Sequence, residues 1–222
     1  MKVDIKIVQL LCSRLCHDLV GPTGAVHNGV ELLEEMGTDD GGDALKMVSA
    51  SVEQLSARLA FFRMAFGLGG LSGRNPPLVE VRSLAGSFLA VGRVTLDWPV
   101  EEATEPAPEI SVTALKLLLN MILVATDALP RGGSIRVKLA SMNTDQGGPA
   151  FGMAVRACGD GARLKEELMS ALSSTPGEGT SAELNAYNVH GYFCRRLAEH
   201  LSSDFEISKT DNEVQFAVLV PA

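Results

Sequence analysis

A chain of 222 residues with 46% hydrophobic content has room for one or two compact domains and enough apolar side chains to fill their cores. Its net charge of −8, with no strong Lys/Arg run, argues against nucleic-acid binding through a basic surface. No basic-then-apolar leader pattern opens the sequence and no apolar run reaches membrane-spanning length, so a cytoplasmic protein without membrane contact is expected.

Val8, Cys12, Leu15, Leu19, Val26, Val30 and Leu33 recur at helical spacing and predict an amphipathic helix from about Val3 to Met36. His17 lies about 200° round that helix from Leu15, so it points away from the apolar stripe. Ser13, Gly21, Gly24 and Asn28 fall within about 40° of it on the same outward face. Interior glycines cost a helix about 1 kcal/mol each, and Pro22 costs more. Such costs beside an exposed imidazole suggest that something approaches the backbone closely there. Pro22 also withholds the N–H that would bond the Asp18 carbonyl, so a kink is expected one turn past His17. Asp18 stands next to the ring, able to orient it or take its proton, and an imidazole can act as a nucleophile near neutral pH. A solvated His-Asp pair beside an ordinary kink is the plainer reading of the same residues. The four cysteines show no CxxC or zinc spacing; Cys12 and Cys16 read as small buried hydrophobes, and no metal site is expected.

The turn Gly37–Gly42 is expected to end the first helix, with Asp43 as N-cap of the next. Leu45, Val48, Val52, Leu55, Leu59, Phe62 and Phe66 then alternate by threes and fours, the seam of a helical bundle. Two helices with narrow seams bury them best against a second copy, which predicts a homodimer built on a four-helix bundle. Packing of the hairpin on the C-terminal half of its own chain is the alternative. Residues 67–77, dense in Gly and Pro, read as a linker between a helical domain over 1–72 and a second domain over 78–222. In the second, helices are expected over Leu84–Val91, Val112–Ala128, Ala162–Leu172 and Ala182–Leu201. Strands are expected over Val94–Trp98, Ile135–Ala140, Phe151–Ala157, Phe205–Ser208 and Val214–Val220. The fold class is therefore α+β, with helices on one face of a sheet. Asp160 reads as a helix N-cap, His190 and His200 as surface residues of the last helix, and His27 as structural or solvated. Met47, Met64 and Met121 read as core fillers.

His17-Asp18-Leu19 followed by Gly21-Pro22, on the first helix of a hairpin that precedes an α/β sandwich, resembles the phosphoacceptor box of sensor histidine kinases. The fuller run His17-Asp18-x-x-Gly21-Pro22-x-x-Ala25-x-x-Asn28-Gly29-x-Glu31-Leu32 is more specific and, with Leu96-Asp97-Trp98-Pro99 and over the whole chain, is similar to the ChpT-type histidine phosphotransferases of alphaproteobacteria. That resemblance implies a hairpin that forms a four-helix bundle in a homodimer, followed by a degenerate domain resembling the histidine-kinase ATPase fold. The kinase Asn-x-x-x-Asn pattern is met only by Asn120, with Val124 in the second position. Ala157 stands where the adenine-reading aspartate belongs, and Asn188-Val189-His190-Gly191-Tyr192 stands where a phosphate-binding glycine loop belongs. A register shift would make Asp160 the adenine reader, but no glycine pair follows Gly161. ATP is therefore not an expected cofactor.

What the resemblance implies instead is a relay. His17 attacks a phospho-aspartate on the receiver domain of a hybrid histidine kinase and passes the phosphoryl group to the aspartate of a response regulator. Magnesium comes with the receiver. Asp18 tunes or orients the ring, Gly21 and Gly24 leave clearance for the docked receiver, and Arg14 and Asn28 contact it. Gly21 occupies the position where bifunctional kinases carry Thr or Asn, so phosphatase activity is not expected. An ATP-dependent kinase core and a non-catalytic dimeric scaffold are the rival readings.

Overall fold

A computed structural model describes residues 4–67, 75–99, 110–143, 148–173 and 184–221, without the side chains of 36–40 and 143. Most of the expected linker, the Pro/Glu-rich loop before residue 110, the centre of the Asn143–Pro149 turn and the Ser173–Thr180 loop fall largely outside the described residues.

The first helix, α1 (Ile5–Asp40), starts where the Asp4 carboxylate accepts a hydrogen bond from the Lys6 N–H. It stays helical through Pro22 and past the expected stop at Met36, and only Gly41 separates it from α2 (Gly42–Phe66). Asp43 is therefore not the N-cap; it lies in the first turn of α2 and pairs with Lys46 at 2.9 Å. The two helices pack closely at Gly29, where an added Cβ would stand 2.6 Å from Val48 Cγ2. The glycines of α1 thus divide. Gly29 is a packing residue, whereas Gly21 and Gly24 face open space with nothing within 4 Å of an added Cβ.

Beyond the linker, α3 (Leu78–Leu89) begins six residues before the expected start, because Pro77 supplies an extended N-cap and Val81, Ala85 and Leu89 repeat on its buried face. Strands β1 (Val94–Asp97), β2 (Gly133–Asn143), β3 (Pro149–Cys158), β4 (Phe205–Thr210) and β5 (Glu213–Pro221) form one sheet in the order β1-β2-β3-β5-β4. Only the β1–β2 pair is parallel. Helix α4 (Val112–Asp127) is buried almost all round from Ala114 to Ala125, as its nearly continuous apolar sequence requires. Helices α5 (Glu166–Ser173) and α6 (Val189–His200) complete the helical layer and are both shorter than the sequence suggests. Asp160 does not cap a helix. It lies in a turn and pairs with Arg131 at 2.5 Å, since α5 starts only at Glu166. The opposite sheet face carries polar side chains such as Arg136, Lys138, Arg156 and Gln215.

The hairpin is not a detached bundle. Phe61, Phe62, Met64 and Ala65 at the end of α2 belong to the same buried cluster as α3, α4 and the sheet, and Leu15 and Leu19 of α1 pack against it. Met64 and Met121 are core residues as expected, while Met47 is half-buried between the hairpin helices. Asn120 marks the join. Fully buried in α4, its Nδ2 donates to the Ala65 carbonyl at 3.0 Å and to the Lys116 carbonyl at 2.8 Å. Ala65 lies in the last turn of α2, where carbonyls lack helical donors. Asn120→Ala should lower stability by about 1–3 kcal/mol for the orphaned carbonyl, with the residual cavity adding to it. Urea unfolding followed by circular dichroism measures the loss.

Candidate functional site

On α1 the outward face is as the helical spacing predicts. His17, Ser13, Gly21, Gly24 and Asn28 are all exposed, and 65% of the His17 side chain is accessible. The Cys12 and Cys16 side chains are exposed too, contrary to the expectation of buried hydrophobes, because no element among the described residues covers them. His27 is solvated beside Glu31, 3.3 Å away, and His200 is exposed.

Two side chains frame the His17 ring. Asp18 Oδ1 lies 3.3 Å from Nδ1, and the Tyr187 ring stands edge-on with centroids 5.8 Å apart at 76°. In the Nδ1–H tautomer the ring donates to Asp18 and leaves the Nε2 lone pair outward. Tyr187 arrives from the turn just before α6, so both halves of the chain contribute to the surroundings of the imidazole.

Arg14 does not extend to solvent. Only 12% of its side chain is exposed, and its fork is occupied at both ends. Nε donates to Asp18 Oδ2 at 2.9 Å, and Nη2 donates to both oxygens of Asp127 at 3.3 Å. Burial works against the guanidinium charge, but Asp127 and Asp18 outweigh it and raise its pKa above the ordinary arginine value. Asp127, the last residue of α4, faces His190, whose Nε2 approaches its Oδ2 to 2.9 Å without the alignment of a full hydrogen bond. His190 is fully buried, not a surface residue, and its Nδ1 has no partner among the described residues.

Asp127 and His190 are the participants that sequence reasoning missed. The available signals were faint: a lone carboxylate closing an otherwise apolar helix, and a histidine between Val189 and Gly191. Gly191 lets α6 pack tightly on α5, since a Cβ there would meet Leu168 Cδ1 at 2.6 Å.

Burial raises the Asp127 pKa, but His190 and Arg14 more than compensate and hold it below the usual carboxylate range. A depressed carboxylate contributes stability that is fully present above its unfolded pKa, about 3.9, and is lost as pH falls through the lower folded value. Asp127→Asn should therefore unfold at a lower urea midpoint than the parent at pH 7, with the gap closing below about pH 4. Paired urea titrations at pH 7 and pH 3 check the sign.

Among the described residues no cluster of three His, Cys, Asp or Glu side chains is placed to hold a metal ion, and no helix is long and apolar enough to cross a membrane. A family model described as the histidine phosphotransferase C-terminal domain matches residues 78–213. The protein phosphotransferase ChpT of Brucella abortus (strain 2308) is 34% identical over 208 residues, which is 94% of this chain and 92% of that protein. A solved bacterial phosphotransferase superposes with a TM-score of 0.74 at 30% identity, over 98% of each chain. The histidine kinase AdeS of Acinetobacter baumannii superposes over 92% of this chain and 97% of its own at a TM-score of 0.46 and 12% identity, a likeness too loose to bear on function.

Proposed function

We infer, from a chain that belongs to the ChpT-type histidine phosphotransferase family and performs phosphotransfer in a phosphorelay, that His17 is the residue that takes and gives up the phosphoryl group. The observation that carries this reading is the exposed imidazole with its Nδ1 facing the Asp18 carboxylate. With the Nδ1 proton held there, Nε2 attacks the phosphorus of a receiver phospho-aspartate, the acyl P–O bond breaks, and the carboxylate leaves. In the second step the aspartate of another receiver attacks the same phosphorus and the N–P bond breaks. The chain presents a nucleophile in line and the receiver brings magnesium, so positioning is most of what this protein supplies.

Gly21, Gly24 and Asn28 line the open face on which a receiver docks, with Tyr187 flanking it. Arg14 acts here as the holder of Asp18 rather than as a receiver contact. The donor is the receiver domain of a hybrid histidine kinase and the acceptor that of a response regulator, in a cytoplasmic relay. Two copies pair through the hairpin, because Leu45, Val52 and Leu59 form an apolar row at seven-residue spacing that the chain leaves about half exposed, at 57%, 45% and 50%. Val48, Leu55 and Phe62 of the same sequence seam turn inward, so the hairpin uses one edge of α2 for itself and leaves the other for its partner.

Nucleotide is not a ligand in this reading. Asn120 is committed to the Ala65 carbonyl, Val124 and Ala157 are fully buried apolar side chains, and Val189 and His190 are packed into the core. Calorimetric titration with Mg-ATP should give no saturable heat. A micromolar dissociation constant, or autophosphorylation from labelled ATP, would return the kinase reading. The central experiment is transfer from phosphorylated receivers to the full chain, with His17→Gln as the control that must take no label.

A further inference from the structure

We propose that Asp127 and His190, in the C-terminal domain, are positioning residues for phosphotransfer at His17, acting through Arg14 and Asp18. The inference rests on His17 being the phosphoacceptor and adds what sets the reactivity of its ring. The contacts form an unbroken line across the join between hairpin and C-terminal domain. His190 Nε2 lies 2.9 Å from Asp127 Oδ2, Asp127 accepts from Arg14 Nη2, Arg14 Nε donates to Asp18 Oδ2, and Asp18 Oδ1 faces His17 Nδ1.

Each link restricts the next. The Arg14 fork is planar and rigid, so anchoring one end on Asp127 fixes where the other end can hold Asp18. Holding one Asp18 oxygen turns the second toward the imidazole. That oxygen is an acceptor only, so it selects the ring tautomer with hydrogen on Nδ1 and leaves the lone pair on Nε2. Without the Asp127 anchor, Arg14 retains only an i,i+4 pair on a helix surface, and pairs of that kind constrain geometry weakly. The arrangement gives the C-terminal domain a role at the hairpin site without any contact of Asp127 or His190 with the reacting atoms.

The His17 tautomer is a readout that a merely structural role would not move. Two-bond proton–nitrogen spectra of the full chain at about pH 8, where imidazoles are mostly neutral, should show His17 with hydrogen on Nδ1. In Asp127→Asn the pattern should move toward the Nε2–H form. Phosphoramidate serves as a partner-free phosphoryl donor: Nε2 attacks phosphorus, the donor P–N bond breaks, and ammonia leaves. The parent should form Nε2-linked phosphohistidine at His17, whereas Asp127→Asn should form it about 3- to 30-fold more slowly, with a rising share of the Nδ1-linked isomer. In an Asp18→Asn background, adding Asp127→Asn should change neither rate nor isomer ratio further, since the effect travels through Asp18. His190→Gln and Arg14→Lys provide second routes to the same readouts if Asp127→Asn folds poorly.

An unchanged tautomer and isomer ratio in folded Asp127→Asn, or the same loss with Asp18 already replaced, overturns the proposal. A His17→Gln variant that still takes label from a phosphorylated receiver overturns the reading beneath it, so the two failures are distinct.

Discussion

His17→Gln should reduce phosphoryl transfer from a phosphorylated receiver to background, with helical content, unfolding midpoint and oligomeric mass unchanged. The side chain is largely exposed and fills no core space, so its loss leaves no cavity. Glutamine keeps polarity and similar bulk but offers no imidazole lone pair to form the N–P bond. His27→Gln is the informative companion because His27 also sits beside a carboxylate on α1, Glu31, and is even more exposed. It lacks the fork of Arg14 and the Tyr187 edge, and its replacement should leave transfer at the parent rate. Asp18→Asn should slow transfer by about 10²-fold without abolishing it, the lower end of what a positioned acid–base group contributes. Label remaining in His17→Gln, or lost in His27→Gln, would move the phosphoacceptor elsewhere.

Val52→Glu with Leu59→Glu should convert a dimer into a monomer. Both residues are about half exposed on one row of α2, so the single chain gives up little when they become polar. In a twofold interface each change counts twice. At about 2 kcal/mol per lost apolar contact, even one such substitution weakens association by about 10³-fold. Light scattering at about 10 μM should report twice the chain mass for the parent and the chain mass for the variant. Thermal unfolding of the variant monomer should retain the signal of the C-terminal core, since Phe61, Phe62, Met64 and Ala65 anchor α2 there irrespective of the seam. A parent that is already monomeric would leave the exposed row without this explanation.

Receiver docking is better tested at Gly24 than at Gly21. Both open onto free space, but Gly21 precedes Pro22, and a side chain in the helical conformation before proline meets the proline ring. Gly24→Leu carries no such conflict and replaces a poor helix former with a good one.

Local chemistry made the outer features of this protein legible. Helical periodicity placed His17, Gly21, Gly24 and Asn28 on one exposed face, away from Leu15 and Leu19 that pack on the core, although Val8, Cys12 and Val30 of the same apolar stripe are exposed as well. The five strands and the run of α4 could be read from alternation and from unbroken apolarity. Element ends were less legible: α1 outran its polar stop and α3 started early from Pro77, since helix ends depend on caps and packing more than on periodicity. The line from His190 to Asp18 could not be read at all. Its members are spread over α1, α4 and α6, and a charged residue becomes a buried partner only when the fold brings a counter-charge to it. The outward direction of His17 is therefore a property of one helix, while the hold on its neighbour Asp18 exists only because the base of the hairpin is built into the C-terminal core.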